Sequence, residues 1–268
     1  MTSVYTILHT NDFHNRLLPE QIARIKAERS ALGSAGLLLD AGDAIAAGNI
    51  TFRPGGEPIL TAMSDAGYDA MTVGNREFHF SRTGFMCKLN CANFPALSAN
   101  VHLKSDEIPD WDALVENGIT RAAAPDADLP VQGYQLFELA GGYRIAVFGV
   151  TVPMITARMR VARVSAYIFE DPSKTAIALS AAIRKHIKPD VIICLSHIGE
   201  RQDRALAEKC DTIDVVIGGH SHHLFEEGME VNGTLVLQAA SHAKYIGNLI
   251  IDPTKSGLAR FKEQVKPL

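Results

Sequence analysis

Gly36-Leu37-Leu38-Leu39-Asp40-Ala41-Gly42-Asp43 is an apolar run too short for a helix, broken by a glycine and ended by a carboxylate. Those features predict a buried strand that delivers Asp43 at its tip. Four other apolar runs end on polar residues in the same way. Val4 to His9 leads to Asp12 and His14, Tyr68 to Val73 leads to Asn75, Val191 to Leu195 leads to His197, and Val215 to Ile217 leads to His220 and His222. Tips of neighbouring strands converge without further help, so these five predict one metal site with Asp43 at its middle.

Helical patterns separate the runs. Pro19 opens a segment with Leu18, Ile22, Ile25 and Leu32 at helical spacing, and Pro58 opens another that Gly67 closes. Asp171-Pro172 reads as an N-cap and first-turn proline, followed by Ala176, Leu179, Ile183 and Ile187 on one face. A short helix is expected at Ala205 to Glu208. This βαβ rhythm predicts an α/β fold. Tyr134 to Leu139 and Arg144 to Val150, on either side of Gly141-Gly142, predict an antiparallel hairpin, so the sheet is expected to be mixed. Leu235 to Gln238 and Ile246 to Ile251 are expected to close it. Ala96 to Val101 reads as one further strand, and Lys104 to Pro130 as a long surface excursion that serves as the candidate lid.

The chain has 268 residues, a length that a layered α/β fold uses as one domain, residues 1–268. With 47% hydrophobic and 21% charged residues it has the composition of an ordinary globular protein. A net charge of −4 offers no basic footprint for nucleic acid or an anionic membrane. No cationic and apolar leader opens the sequence and no run has the length of a membrane span, so a cytoplasmic location is the expectation. Cys87, Cys91, Cys194 and Cys210 lack zinc-site spacing and are expected as reduced thiols.

Asp12-x-His14 and His220-x-His222 each place two side chains on the same side of an extended segment. Gly42, Gly74, Gly218 and Gly219 precede candidate ligands, where the backbone must turn sharply or approach something closely. Carboxylate, imidazole and one amide oxygen, without thiolate, favour Mn, Fe, Zn, Co or Ni over a structural zinc. Asp12, His14, Asp43, Asn75, His197, His220 and His222 are too many ligands for one ion and suit two, with Asp43 as the bridge. Two ions roughly 3.5–4 Å apart serve hydrolysis by generating hydroxide and clamping a phosphoryl oxygen. The plainer reading of these residues is polar capping of strand-end loops.

At these residues the sequence resembles the calcineurin-like metallophosphoesterases, and most closely the catalytic part of their 5′-nucleotidase branch, which includes UDP-sugar hydrolases. The matching segments are Leu8-His9-Thr10-Asn11-Asp12-Phe13-His14, Ala41-Gly42-Asp43, Val73-Gly74-Asn75-Arg76-Glu77-Phe78, Ser98-Ala99-Asn100-Val101, Leu195-Ser196-His197-Ile198-Gly199 and Ile217-Gly218-Gly219-His220-Ser221-His222. The resemblance implies a four-layer α/β/β/α sandwich of two mixed sheets flanked by helices. It implies one metal on Asp12, His14, Asp43 and His222, and a second on Asp43, Asn75, His197 and His220. The branch's C-terminal domain, which grips the base, has no counterpart in the match, so base specificity is not implied.

The family usually has a histidine directly after the metal-binding asparagine and an aspartate three residues later; here Arg76 and His79 stand there. Arg76 is a candidate phosphate clamp, against a surface pairing with Glu77 or another carboxylate, and His79 a candidate proton donor, against a histidine satisfied within its loop. His197 and His220 complete the expected catalytic set, and Asn15 and Arg16 lie beside it. His9, His102, His186, His223 and His242 read as structural. The expected function is hydrolysis of small phosphomonoesters such as nucleotides by a metal-bound hydroxide, with two divalent transition-metal ions, Mn first among them. The alternatives are a phosphodiesterase acting on cyclic or nucleotide diesters and a metal-binding partner module of weak activity.

Overall fold

The computed structural model describes residues 4–105, 107–121 and 129–268. The first half runs β1 (Tyr5–Thr10), α1 (Pro19–Leu32), β2 (Gly36–Asp40), α2 (Pro58–Ala66), β3 (Ala70–Thr72), α3 (Arg82–Leu89), β4 (Ala96–Leu97), β5 (Val101–Leu103) and α4 (Trp111–Glu116). The second half runs β6 (Tyr134–Leu139), β7 (Tyr143–Thr151), β8 (Tyr167–Phe169), α5 (Pro172–His186), β9 (Val191–His197), α6 (Glu200–Lys209) and β10 (Val215–Gly218). It closes with β11 (Met229–Val231), β12 (Thr234–Leu237), β13 (Tyr245–Ile251), β14 (Phe261–Lys262) and β15 (Val265–Pro267).

Two mixed sheets result. The first has the order β14-β13-β1-β2-β3-β4 with β15 also on β13, and the second β11-β12-β10-β9-β7-β6. Strands β1 to β4 are parallel, as are β7, β9, β10 and β12, while β13, β6 and β11 run against their neighbours. Side-chain alternation along a strand sorts the core into layers. Leu37 and Leu39 point between the sheets with Ile7, Ile193, Leu195, Val215 and Ile217, whereas Leu38 and Leu8 face outward against Ile25, Leu60 and Met63. On the far side Ile192, Cys194 and Val216 face Leu179, Ile183 and Leu206 of α5 and α6. This is the expected α/β/β/α sandwich.

Two expectations are corrected. Ala96 to Val101 is not one strand: β4 ends at Leu97, and after a break β5 leaves the first sheet to pair with β8. Asn100 explains the break, because its Nδ2 donates to the Thr151 carbonyl and its Oδ1 accepts from the Thr151 amide, replacing ladder partners. The excursion after Lys104 holds helix α4, whose Trp111 and Val115 are buried against α5. Asp112 of α4 is tied to Lys185 and His186 in the last turn of α5, the end away from the tip of β9. Helix α4 therefore flanks α5 rather than covering the strand tips; residues 106 and 122–128 lie outside the described residues. All four cysteines are free thiols.

Candidate metal centre

The parallel strands β1, β2, β3, β9 and β10 point their C-terminal ends to one edge of the sandwich, and the polar residues that follow them meet there. Gly42 sits at φ +88°, and a Cβ on it would stand 2.7 Å from the Gly74 nitrogen and 2.9 Å from His197 Nδ1. At Gly74 a Cβ would run into the Asp43 carboxylate. Only glycine lets these three loops close on each other.

His222 Nε2 lies 3.2 Å from Asp12 Oδ1 and 3.1 Å from His14 Nε2, and His14 Nε2 lies 4.0 Å from Asp43 Oδ2. Asp43 Oδ1 is 3.4 Å from His197 Nε2. His220 Nδ1 is 3.0 Å from Asn75 Oδ1, and the His220 amide donates to Asp12 Oδ2 at 2.9 Å. The seven expected side chains thus form one connected cluster. Two overlapping groups within it, Asp12 with His14 and His222, and Asp12 with Asp43 and His197, bring three ligand atoms within 4.8 Å of one another.

His197 is fully buried and its Nδ1–H donates to the Ala41 carbonyl at 2.6 Å, leaving Nε2 aimed at the cluster. His197 Nε2 and Asp12 Oδ1 are buried without hydrogen-bond partners. Buried polar atoms left without a hydrogen-bond partner are costly unless something binds them, and a carboxylate–imidazole–amide set suits a divalent cation. Burial alone would lower the His197 pKa, but the Asp43 and Asp12 carboxylates outweigh it and push it up to about 10. Asp12, His14, Asp43, His220 and His222 all hold φ between +49° and +72°. Left-handed backbone at five non-glycine residues is concentrated strain of the sort that folds keep at functional sites.

No family model matches the chain. Over 276 residues it is 31% identical to the trifunctional nucleotide phosphoesterase protein YfkN of Bacillus subtilis, covering 95% of this chain and 18% of that protein. It is 30% identical to a 5′-nucleotidase of Vibrio cholerae, covering 90% of this chain and 47% of that one. The solved calcineurin-like phosphoesterase YfkN from Bacillus subtilis superposes with a TM-score of 0.71 at 21% identity, over 98% of this chain and 90% of that one. The chain belongs to the calcineurin-like phosphoesterases. It spans about half the length of the curated 5′-nucleotidases that it matches.

Calcineurin-like phosphoesterases use divalent metals, and this one adds cations of its own. Arg76 donates its backbone N–H to Asp43 Oδ1 at 2.7 Å and holds Nε 4.0 Å from Asp43 Oδ2, with the side chain 43% exposed. It lines a cavity of about 280 Å³ together with His14, Arg16, Ala46, His222 and His242. Arg76 is therefore not the surface partner of Glu77. Asn15 lines a separate cavity with Leu17, Arg53 and Ile59.

His79 does not join the cluster. It is 4% exposed, stacked on Phe80 and edge-on to Phe52. Its Nδ1 accepts from the Ser81 amide at 3.1 Å, and the ring also bonds the Ile50 backbone. Burial lowers its pKa, so a neutral ring satisfied within its loop describes it better than a proton donor.

His242 is the opposite case. Its ring centroid lies 5.3 Å from that of His14 and 5.5 Å from that of His222, and its amide donates to the Asp12 carbonyl. The sequence offered no strand tip to mark it. His9 bonds Glu263, His102 pairs with Glu170 and His186 with Asp112, all structural as expected.

Sequence reasoning also passed over Glu77. Its buried carboxylate accepts the amides of Asp43 at 2.9 Å, Gly74 at 2.8 Å and Ile45 at 3.1 Å, locking the β2 and β3 loops together. Burial, with Asp43 close by, raises its pKa to about 7. The only signal was its place beside Arg76.

Proposed function

We propose that residues 1–268 form one catalytic unit that hydrolyses phosphate esters of nucleotides with two divalent transition-metal ions. The orphaned Asp12 Oδ1 and His197 Nε2 at the centre of a seven-residue donor set carry this reading, and relatives named as nucleotide phosphoesterases support it. Asp12, His14, Asp43 and His222 would hold one ion and Asp43, Asn75, His197 and His220 the other. Bound there, the ions supply Lewis acidity and an activated water.

The chain's own groups do the rest. Ala41 fixes the His197 tautomer, and Glu77 holds the Asp43 loop against β3. Arg76 keeps its charge at any working pH, so it stabilises charge on the phosphoryl oxygens but donates no proton to the leaving group. With His79 held in its loop, substrates with good leaving groups, phosphoanhydrides and aryl esters, are favoured over alkyl phosphates.

The test is turnover on a panel of aryl phosphates, nucleoside monophosphates and diphosphates and cyclic nucleotides, with Mn, Co, Ni and Zn. Turnover of monoesters or anhydrides, abolished in Asp43→Asn together with binding of both ions, is expected. Turnover of cyclic diesters alone would replace this reading by the diesterase one, and metal binding with no turnover by the partner module.

A further inference from the structure

Asn11 stands directly before Asp12 at the tip of β1 and is buried. Its Nδ2 donates to Asp12 Oδ2 at 2.7 Å and to the Ala240 carbonyl at 2.5 Å, and its Oδ1 accepts from the Ala239 amide at 2.9 Å. One side chain thus reaches both a candidate metal ligand and the loop that follows β12. That loop is tied to the same place a second time, because the His242 amide donates to the Asp12 carbonyl at 2.8 Å. Ala240 and His242 hold left-handed backbone there, with φ of +59° and +60°.

The two oxygens of Asp12 are left unequal. Oδ2 receives two donors, Asn11 Nδ2–H and the His220 amide, whereas Oδ1 receives none and lies 3.2 Å from His222 Nε2 and 3.6 Å from His14 Nε2. Turning the carboxylate about its Cβ–Cγ bond would strip both donors of their acceptor in a buried site. A side chain that only pinned the loop would need the contacts to Ala239 and Ala240. It would have no use for the one to Asp12.

We infer that Asn11 is a positioning residue for the ion assigned to Asp12, His14, Asp43 and His222: it occupies Asp12 Oδ2 and so reserves Oδ1 for the metal. The inference rests on the two-ion reading above and adds a residue to it. With Oδ2 bonded twice, Asp12 offers this ion one oxygen rather than two. The other ion's residues, Asn75, His197 and His220, receive no side-chain hydrogen bond from Asn11 among the described residues, so the effect of Asn11 is selective for one of the two ions.

The test is calorimetric titration with Mn²⁺ of the wild type, Asn11→Leu and Asn11→Ser, with electron paramagnetic resonance of each loaded protein. Asn11→Leu keeps the volume of the side chain, and Asn11→Ser leaves room for a water beside Ala239 and Ala240; urea unfolding in the presence of a chelator verifies that each variant folds. The wild type is expected to bind two ions and to give the spin-coupled signal of a Mn pair. Both variants are expected to bind one ion as the wild type does and the other about 10–100-fold more weakly, with the coupled signal lost. Asn11→Leu added to His222→Ala, which already removes a ligand of the affected ion, is expected to leave the remaining ion's affinity unchanged. Two ions bound by the variants as tightly as by the wild type, or both ions weakened together as a general loosening would do, would overturn the inference alone. A wild type that binds no Mn²⁺ would overturn the two-ion reading and the inference with it.

Discussion

His197 is the residue on which metal binding turns, because its Nε2 cannot hold a proton and a metal together. In the metal-free protein the neighbouring carboxylates keep it protonated up to about pH 10. Loading must expel that proton, so affinity should rise with pH by about tenfold per unit from this group alone across pH 7 to 9. Calorimetric titrations in buffers of different ionisation enthalpy will count the protons released, and a value of zero at pH 7 would show that His197 is either no ligand or already neutral in the metal-free protein. Arg76 and His79 separate in the same way. Arg76→Ala is expected to slow aryl and alkyl esters alike by about 10²-fold or more, since charge stabilisation at phosphorus ignores the leaving group. His79→Ala should leave the aryl-to-alkyl ratio of kcat unchanged. A selective loss on alkyl phosphates would restore it as the acid.

At the level of elements, helix α3 holds the Asn75 to Phe78 loop through one buried cation. Lys88 Nζ donates to the carbonyls of Gly48 at 2.9 Å, Arg76 at 2.6 Å and Phe78 at 3.1 Å. Burial lowers its pKa to about 8, with Glu77, Glu57 and Asp43 nearby opposing the fall. Lys88→Met keeps the apolar stem but leaves three carbonyls without their donor, a cost of about 1–3 kcal/mol for each one left unsatisfied. Urea unfolding should show a loss of about 3 kcal/mol. Because the released carbonyls include that of Arg76, kcat should fall further than the folded fraction does. A drop in stability with unchanged kcat would make Lys88 a purely structural tie.

Across the whole molecule, the catalytic edge and the outer layer on the second sheet are separable. Trp111 of α4 is buried beside α5, and a Cβ at Gly133 would meet its ring. Trp111→Ala should cost about 3–5 kcal/mol on unfolding, as large aromatic truncations do. KM should not move, because α4 is anchored at the last turn of α5 and not at the strand tips. A KM that changes with each substrate would return this segment to the active site.

The sequence by itself determined the layers and the strand tips. Period-two alternation in Leu37-Leu38-Leu39 sorts side chains to opposite faces, and parallel strands necessarily send their C-terminal ends the same way. Convergence of Asp12, His14, Asp43, Asn75, His197, His220 and His222 follows from that rule and from glycines that let loops touch. Only the tertiary structure decided which polar neighbours take part. Glu77 turns inward to three amides, His79 turns to Ser81 and Ile50, and His242 arrives beside His14 from a loop more than two hundred residues away. Spacing along the chain carries no information about such contacts. They depend on loop dihedrals, including five left-handed donors, that become affordable only when the packed sandwich fixes both ends of every loop.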